Sequence, residues 1–327
     1  MLDLLSPQSR LDTRLLQRPG GWAWWYLDLV DEKGDGLVLI WAFGLPFLPG
    51  QGVASERPSI ALSVYRDGQS EFVLLTEVEE AEVLPTGWRF DDCWFHQWSD
   101  GERDGLDVVL DLPTVKGRLQ GTLSVDGPRL VGSGSSGAHG WTPMMGAGDG
   151  WAAMRCADWE IELKGRAYRD RNEGDTPLDA LGIRSWTWGR TSLDGRLVCW
   201  YLVDGEHPSA RLVRETDGRL EVVEVEVEEQ DWQRDRYGLR WARRLTLVSP
   251  DGQTLHVEQR PPVDRSPFYL RQPVVVNGQA GWGETVCPSK LDLWWMRPLV
   301  EMRIQRLGAN SPFLSWFSGP RPPLRWV

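Results

Sequence analysis

The sequence predicts an all-β fold built as two antiparallel barrel or sandwich domains in tandem. Strand-length runs recur at short spacing with Gly, Asp and Pro turn signals between them, while helical periodicity is scarce. Tryptophan is over-represented, at 20 residues against 6 tyrosines, and broad indoles suit the interiors of β-sandwiches. The 327-residue length accommodates two domains of about 100–200 residues each. The expected division is into residues 1–180 and 181–327.

Taken in order, Gly20–Leu29 reads as an aromatic strand, Asp31–Asp35 as a turn and Gly36–Phe43 as its partner, together a hairpin. Further strands are expected over Ser59–Arg66, Glu71–Val78, Gly87–Phe95, Leu106–Leu110 and Lys116–Val125, with Asp67-Gly68 as a turn. Trp151–Leu163 alternates as a strand, and residues 164–168 carry it on to Asp170. A second β unit follows, with strands expected over Arg196–Leu202, Ala210–Arg214, Arg219–Glu228, Gly238–Leu247 and Gln253–Gln259. Within it, Glu221–Glu228 alternates acid with valine, which is scaffold with one wet and one buried face. Gly278–Val286 and Arg297–Ile304 complete the expected strands around a short aromatic segment, Leu291–Trp295.

Composition narrows the function. A formal charge of −11 argues against a nucleic-acid partner, because phosphate binding needs clustered Lys and Arg. Met1–Leu5 has no basic region ahead of an apolar run, and no apolar stretch reaches the ~20 residues that span a bilayer, so a soluble, cytoplasmic protein is expected. Cys93, Cys156, Cys199 and Cys287 form no Cys-x-x-Cys pair and read as reduced, mostly buried thiols. His96, His139, His207 and His256 are equally scattered, which does not suggest a metal. Beyond Glu301 there is no acidic residue, while Arg303, Arg306, Arg321 and Arg325 accompany Phe313, Leu314, Trp316, Phe317 and Trp326. That mixture suits peripheral contact with the inner face of the membrane, or a tail packed on the barrel.

The polar chemistry concentrates between Ala138 and Arg190. Gly132–Gly137 matches Gly-x-Gly-x-x-Gly, yet the residues after it cannot begin a long helix, so it reads as a loop and not a phosphate cradle. Next come His139-Gly140-Trp141-Thr142-Pro143, then Tyr168-Arg169-Asp170-Arg171-Asn172-Glu173-Gly174-Asp175-Thr176-Pro177-Leu178, then Trp186-Thr187-Trp188-Gly189-Arg190. On residue type alone, Asp170 reads as a turn or salt-bridged acid, His139 as a loop histidine and Trp141 as core. The tryptophans either plug the interior or wall a pocket for a long apolar or cationic ligand.

Together with Gly20–Asp28, these stretches resemble the carotenoid 1,2-hydratase (hydroxyneurosporene synthase) family over most of the chain. The first is similar to its His-x-Trp-x-Pro and the second to its Tyr-x-Asp-x-Asn-x-Gly-x-x-Pro-Leu. The third departs from its Trp-Asp-Trp-Ser-Arg by Thr187 and Gly189. The resemblance implies a double lipocalin-like fold and an acyclic carotenoid or other long apolar polyene as substrate, with water as second reactant. It implies catalytic roles for Asp170, His139, Trp141 and Tyr168; Trp24, Trp25, Trp186, Trp188 and Asn172 are expected against substrate. The alternatives are a related lipocalin-like terpenoid or polyene cyclase or isomerase and a non-catalytic carotenoid-binding protein, because a shared fold alone does not establish hydration.

Hydrating a 1,1-dimethyl alkene requires protonation to a tertiary carbocation and capture by water, with no metal or organic cofactor. The acid must stay protonated at neutral pH, which for Asp170 means a dry setting. Alternation along an extended segment points Arg169 and Arg171 away from it and leaves Tyr168 and Asn172 on its face. Trp141 is then expected to stabilise the cation through its π-face. His139 holds or deprotonates the attacking water in this expectation, and Tyr168 orients that water or bonds to Asp170.

Overall fold

The computed structural model describes residues 2–7, 10–44, 53–132, 139–305 and 318–321. The glycine-rich loop at 133–137 and most of the 306–327 tail, including Arg306, Phe313, Leu314, Trp316, Phe317, Arg325 and Trp326, lie outside the described residues.

Two curled antiparallel sheets make up the fold. The first takes β1 (Leu2–Leu4), β2 (Trp22–Val30), β3 (Gly36–Phe43), β4 (Pro58–Arg66), β5 (Gln69–Glu77), β6 (Ala81–Leu84), β7 (Gly87–Phe90) and β8 (Cys93–Ser99). It continues through β9 (Arg103–Thr114), β10 (Gly117–Pro128), β11 (His139–Pro143), β12 (Gly148–Cys156) and β13 (Trp159–Gly174). The second holds β14 (Ile183–Leu193), β15 (Arg196–Gly205), β16 (Ser209–Thr216), β17 (Arg219–Glu224), β18 (Glu226–Arg234) and β19 (Arg240–Val248). Its remaining strands are β20 (Thr254–Gln259), β21 (Asp264–Ser266), β22 (Tyr269–Val276) and β23 (Gln279–Val286). A one-turn helix, α1 (Met296–Glu301), follows, and β24 (Gly319–Pro320) returns to pair with β5 of the first sheet.

Strand alternation divides the apolar residues into three layers. Along β2, Ala23, Trp25, Leu27 and Leu29 enter the core of the first sheet, while Trp22, Tyr26 and Val30 face the other way. That outward face is covered by the second sheet, through Trp186 and Trp188 of β14, Tyr201 of β15 and Trp282 of β23. A third cluster, with Trp200, Leu245 and Val257, fills the second sheet's own concave side. Two large aromatic faces are therefore buried against each other between the sheets.

The local predictions hold where turn chemistry is explicit. The first hairpin is β2 and β3, and Asp67 and Gly68 both take positive φ, 51° and 70°, as a two-residue hairpin turn requires. Gly87–Phe95 and Trp151–Leu163, expected as single strands, are each a hairpin, reversed at Asp91 (φ 50°) and Ala157 (φ 52°). Arg219–Glu228 likewise divides into β17 and β18. The strand expected over Arg297–Ile304 is instead largely α1: Met296, Val300 and Ile304 are buried four residues apart, and Pro298 sits in the first turn, where its missing N–H costs no helical bond. Strand β22 is an addition that the sequence reading did not anticipate.

Candidate active site between the two sheets

Strand β13 is shared: it pairs with β2 along one edge and with β12 and then β11 along the other. Its even-numbered residues Tyr168, Asp170 and Asn172 are buried, and Asp170 lies between Tyr26 of β2 and Pro143 of β11 in the register. Strand β11 is held extended by β13 and by parallel pairing with β1, so His139 and Trp141 share one face.

Three side chains converge on the Asp170 carboxyl. Trp141 Nε1 donates to Oδ2 at 2.8 Å, the Tyr168 hydroxyl to the same oxygen at 2.9 Å, and Asn172 Nδ2 to Oδ1 at 2.9 Å. Behind them, His139 Nε2 lies 3.1 Å from Asn172 Oδ1. Since the Asn172 amide nitrogen serves Asp170, its oxygen accepts, and His139 is the tautomer protonated on Nε2.

Burial dominates the electrostatics. It pushes Asp170 up to about 8, against the opposing pull of the Trp141 and Tyr168 donors. His139 is pushed down to about 4 by the same desolvation and is neutral at pH 7. Asp170 is therefore an acid that keeps its proton at neutral pH, beside dipoles already aimed at the carboxylate it becomes on giving that proton up.

A cavity of about 30 Å³ opens on this carboxyl, room for one or two waters. Its wall includes Trp24, Trp141, Trp186, Trp188, Tyr201 and Glu284. Through Trp24, Tyr26, Trp186 and Glu284 it adjoins a larger apolar cavity of about 210 Å³. That channel runs between the two sheets over Val38, Ile40, Tyr65, Leu75, Phe268 and Ile304.

A second buried polar network fixes the two sheets beside the channel. Fully buried Arg271 of β22 donates to Tyr269 Oη at 2.7 Å, to Tyr26 Oη at 2.6 Å and to Glu284 Oε2 at 2.9 Å. The Tyr26 hydroxyl passes its own proton toward Asp28 Oδ2 at 2.8 Å, and Asp28 pairs with Arg190. Every charge here has a partner, as burial demands.

The structure gathers most of the expected site residues. Asp170, Trp141, Asn172, Trp24, Trp186 and Trp188 line the small cavity, and Tyr168 bonds to Asp170 from beside it. Trp141 meets Asp170 through its indole N–H, so it acts on the acid as well as facing the cavity. His139 is absent from the cavity wall: it sits behind Asn172, edge-on to Trp22 with ring centroids 5.1 Å apart. Trp25 is placed apart from the site, because alternation along β2 turns it into the first sheet's core against Phe43, Trp88 and Phe95. Thr187 and Gly189 also face away, into the second sheet, where a Cβ on Gly189 would meet the Trp200 ring at 2.1 Å. Sequence reasoning missed Tyr201, Arg271 and Glu284. For Glu284 a signal existed, an acid between Trp282 and Val286 on one face of an apolar strand.

Comparison with known proteins places the chain among carotenoid hydratases. The family described as Carotenoid hydratase CrtC matches residues 97–311. The chain is 26% identical to an acyclic carotenoid 1,2-hydratase of Rubrivivax gelatinosus over 78% of its own length, and the match spans 65% of that relative. It is 22% identical to a hydroxyneurosporene dehydrogenase of Chlorobaculum tepidum, over 90% of each chain. Among solved structures, CghA with Sch210972 superposes with a TM-score of 0.58 at 15% identity, over 82% of this chain and 89% of that one, a likeness of fold.

Proposed function

We propose that this chain, which belongs to the carotenoid 1,2-hydratase family, adds water across the terminal C1=C2 double bond of an acyclic carotenoid of the lycopene or neurosporene type. The observation that carries the reading is Asp170: a carboxyl raised to about 8, set at a small cavity with room for water that continues into an apolar channel. One end of a long polyene fits that channel with its terminal alkene beside Asp170. Proton transfer from Asp170 to C2 leaves a tertiary cation at C1. The Trp141, Tyr168 and Asn172 donors then stabilise the new carboxylate. Trp24, Trp186, Trp188 and Tyr201 line the cavity in which the cation forms, and a ring face turned to it is worth about 2 kcal/mol when desolvated. Water adds at C1, and no metal or organic cofactor takes part. His139 serves in this reading by orienting the Asn172 amide toward Asp170.

The two sheets divide, in this reading, into working units at residues 1–180 and 181–327, with the site where they meet. Among the described residues no helix is long and apolar enough to cross a membrane. Peripheral contact is supported by Leu293, Trp294, Trp295, Leu299 and Met302, exposed on the segment whose Val300 and Ile304 line the channel. Substrate then passes from lipid to channel past α1. Incubation with lycopene or neurosporene followed by mass analysis tests the function: the expected product has gained one water. An isomer of unchanged mass would point to a cyclase instead, and binding without change to a carrier. Loss of liposome flotation on Trp294→Ser with Trp295→Ser is expected if α1 is the contact.

A further inference from the structure

We infer that Glu284 is the second catalytic carboxylate, which holds the attacking water and takes its proton after capture; this rests on the hydration reading above. Capture of water by a cation first gives an oxonium, which must lose a proton to become the alcohol. A base is therefore needed close to C1, and Asp170 has just become the carboxylate on the C2 side.

Most polar groups around the small cavity are already committed. The Tyr168 hydroxyl and the Trp141 indole serve Asp170. Asn172 spends its nitrogen on Asp170 and its oxygen on His139. Tyr26 donates to Asp28 and accepts from Arg271, and Tyr201 is a phenol whose pKa burial raises well above its usual value, which makes it a poor base. His139 is outside the cavity wall, with Trp22 and Trp24 packed on its ring.

Glu284 differs from all of these. It reaches the same cavity as Asp170 from the other sheet, on β23, and it also borders the apolar channel. Its Oε2 is fixed by Arg271 at 2.9 Å. Its Oε1 has a long 3.4 Å contact with Trp186 Nε1, which leaves capacity to accept from a water. Among the described residues on the wall, Asp170 and Glu284 are the carboxylates, one contributed by each sheet.

The proton count closes. Asp170–COOH gives its proton to C2 and becomes a carboxylate. The water oxygen bonds to C1, and the oxonium proton passes to the Glu284 carboxylate. Glu284 releases that proton to solvent and Asp170 regains one, so the net change is addition of one water.

Separating the two carboxylates in D2O tests the assignment on the full chain with lycopene. Without its water base, a cation formed by Asp170 returns a proton and reverts to alkene, leaving deuterium behind. Glu284→Gln is expected to lower hydration about 10²-fold or more. Recovered lycopene should still gain deuterium, whereas Asp170→Asn shows neither hydration nor exchange. Glu284→Asp, which keeps a charge for Arg271, should show the same split less severely, and it decides the matter if Glu284→Gln does not fold. Hydration by a folded Glu284→Gln within about threefold of wild type overturns the inference, as does parallel loss of exchange and hydration in folded Glu284→Asp. A wild-type chain that adds no water brings down the hydration reading itself, a different outcome from failure of Glu284 alone.

Discussion

The two faces of β13 carry opposite chemistries within three consecutive residues. On one face Asp170 is raised to about 8. On the other, Arg169 is lowered to about 10 by burial, with a 3.3 Å hydrogen bond to Gln97, and Arg171 is lowered by burial despite its 2.7 Å ion pair with Glu173. All three residues are less than 5% exposed, so desolvation penalises the charged form of each alike. The partners make the difference. Asp170 meets only neutral donors, although two cations adjoin it in sequence, because strand alternation turns both guanidinium groups to the far side. A guanidinium on its own face would hold Asp170 ionised and leave no acid at neutral pH.

That contrast can be broken first at its centre. Asp170→Asn keeps the volume, and its amide oxygen can still accept from Trp141 and Tyr168, but it has no acidic proton. It should lower lycopene hydration by about 10²–10⁴-fold or more while polyene binding, read by absorbance shift, persists. A folded Asp170→Asn protein that hydrates near the wild-type rate would sink the mechanism.

Smaller losses are expected from the donors. Tyr168→Phe and Trp141→Phe each remove one hydrogen bond to the nascent carboxylate, worth about 1.5–3 kcal/mol, or roughly 10–100-fold in rate. Both should also raise the pH at which activity declines. In wild type the protonated acid is the active form, so the rate should fall roughly tenfold per unit above about pH 8. A rate that rises through pH 8 would contradict the assignment.

Stability carries the opposite sign at His139. Its folded value near 4 lies below the ordinary 6.5, so the unfolded chain binds the extra proton. Thermal stability should therefore decline as pH falls from about 6.5 toward 4, and His139→Gln should flatten that decline. The smallest catalytic effect belongs to the arginine face. Glu173→Gln removes the ion pair with Arg171 and should lower stability by up to about 3 kcal/mol in urea unfolding, with the hydration rate within about twofold of wild type. A large rate loss there would mean that the two faces are coupled.

Much of the site was legible because it is local. An extended Tyr168–Asn172 places three polar groups on one face whatever surrounds them, and an extended His139–Trp141 does the same. The hairpin at Asp67-Gly68 was legible for a similar reason, since its residues tolerate positive φ. The reversals at Asp91 and Ala157 were not, because apolar alternation continues across both turns. Trp25 was read with Trp24 as one aromatic run, although neighbouring residues on a strand point to opposite sides.

By itself the sequence determined an all-β chain, which residues alternate together, and that Asp170 is turned away from its flanking arginines. Only the tertiary structure decided that the outer face of β2 and β13 is covered by β14, β15 and β23, which places the cavity between the sheets. The same packing brought Arg271 and Glu284 within reach from about a hundred residues farther along the chain. Alternation fixes the two faces of a strand but not what covers them. The pKa of a carboxyl depends on that cover, through the water it removes and the donors it brings.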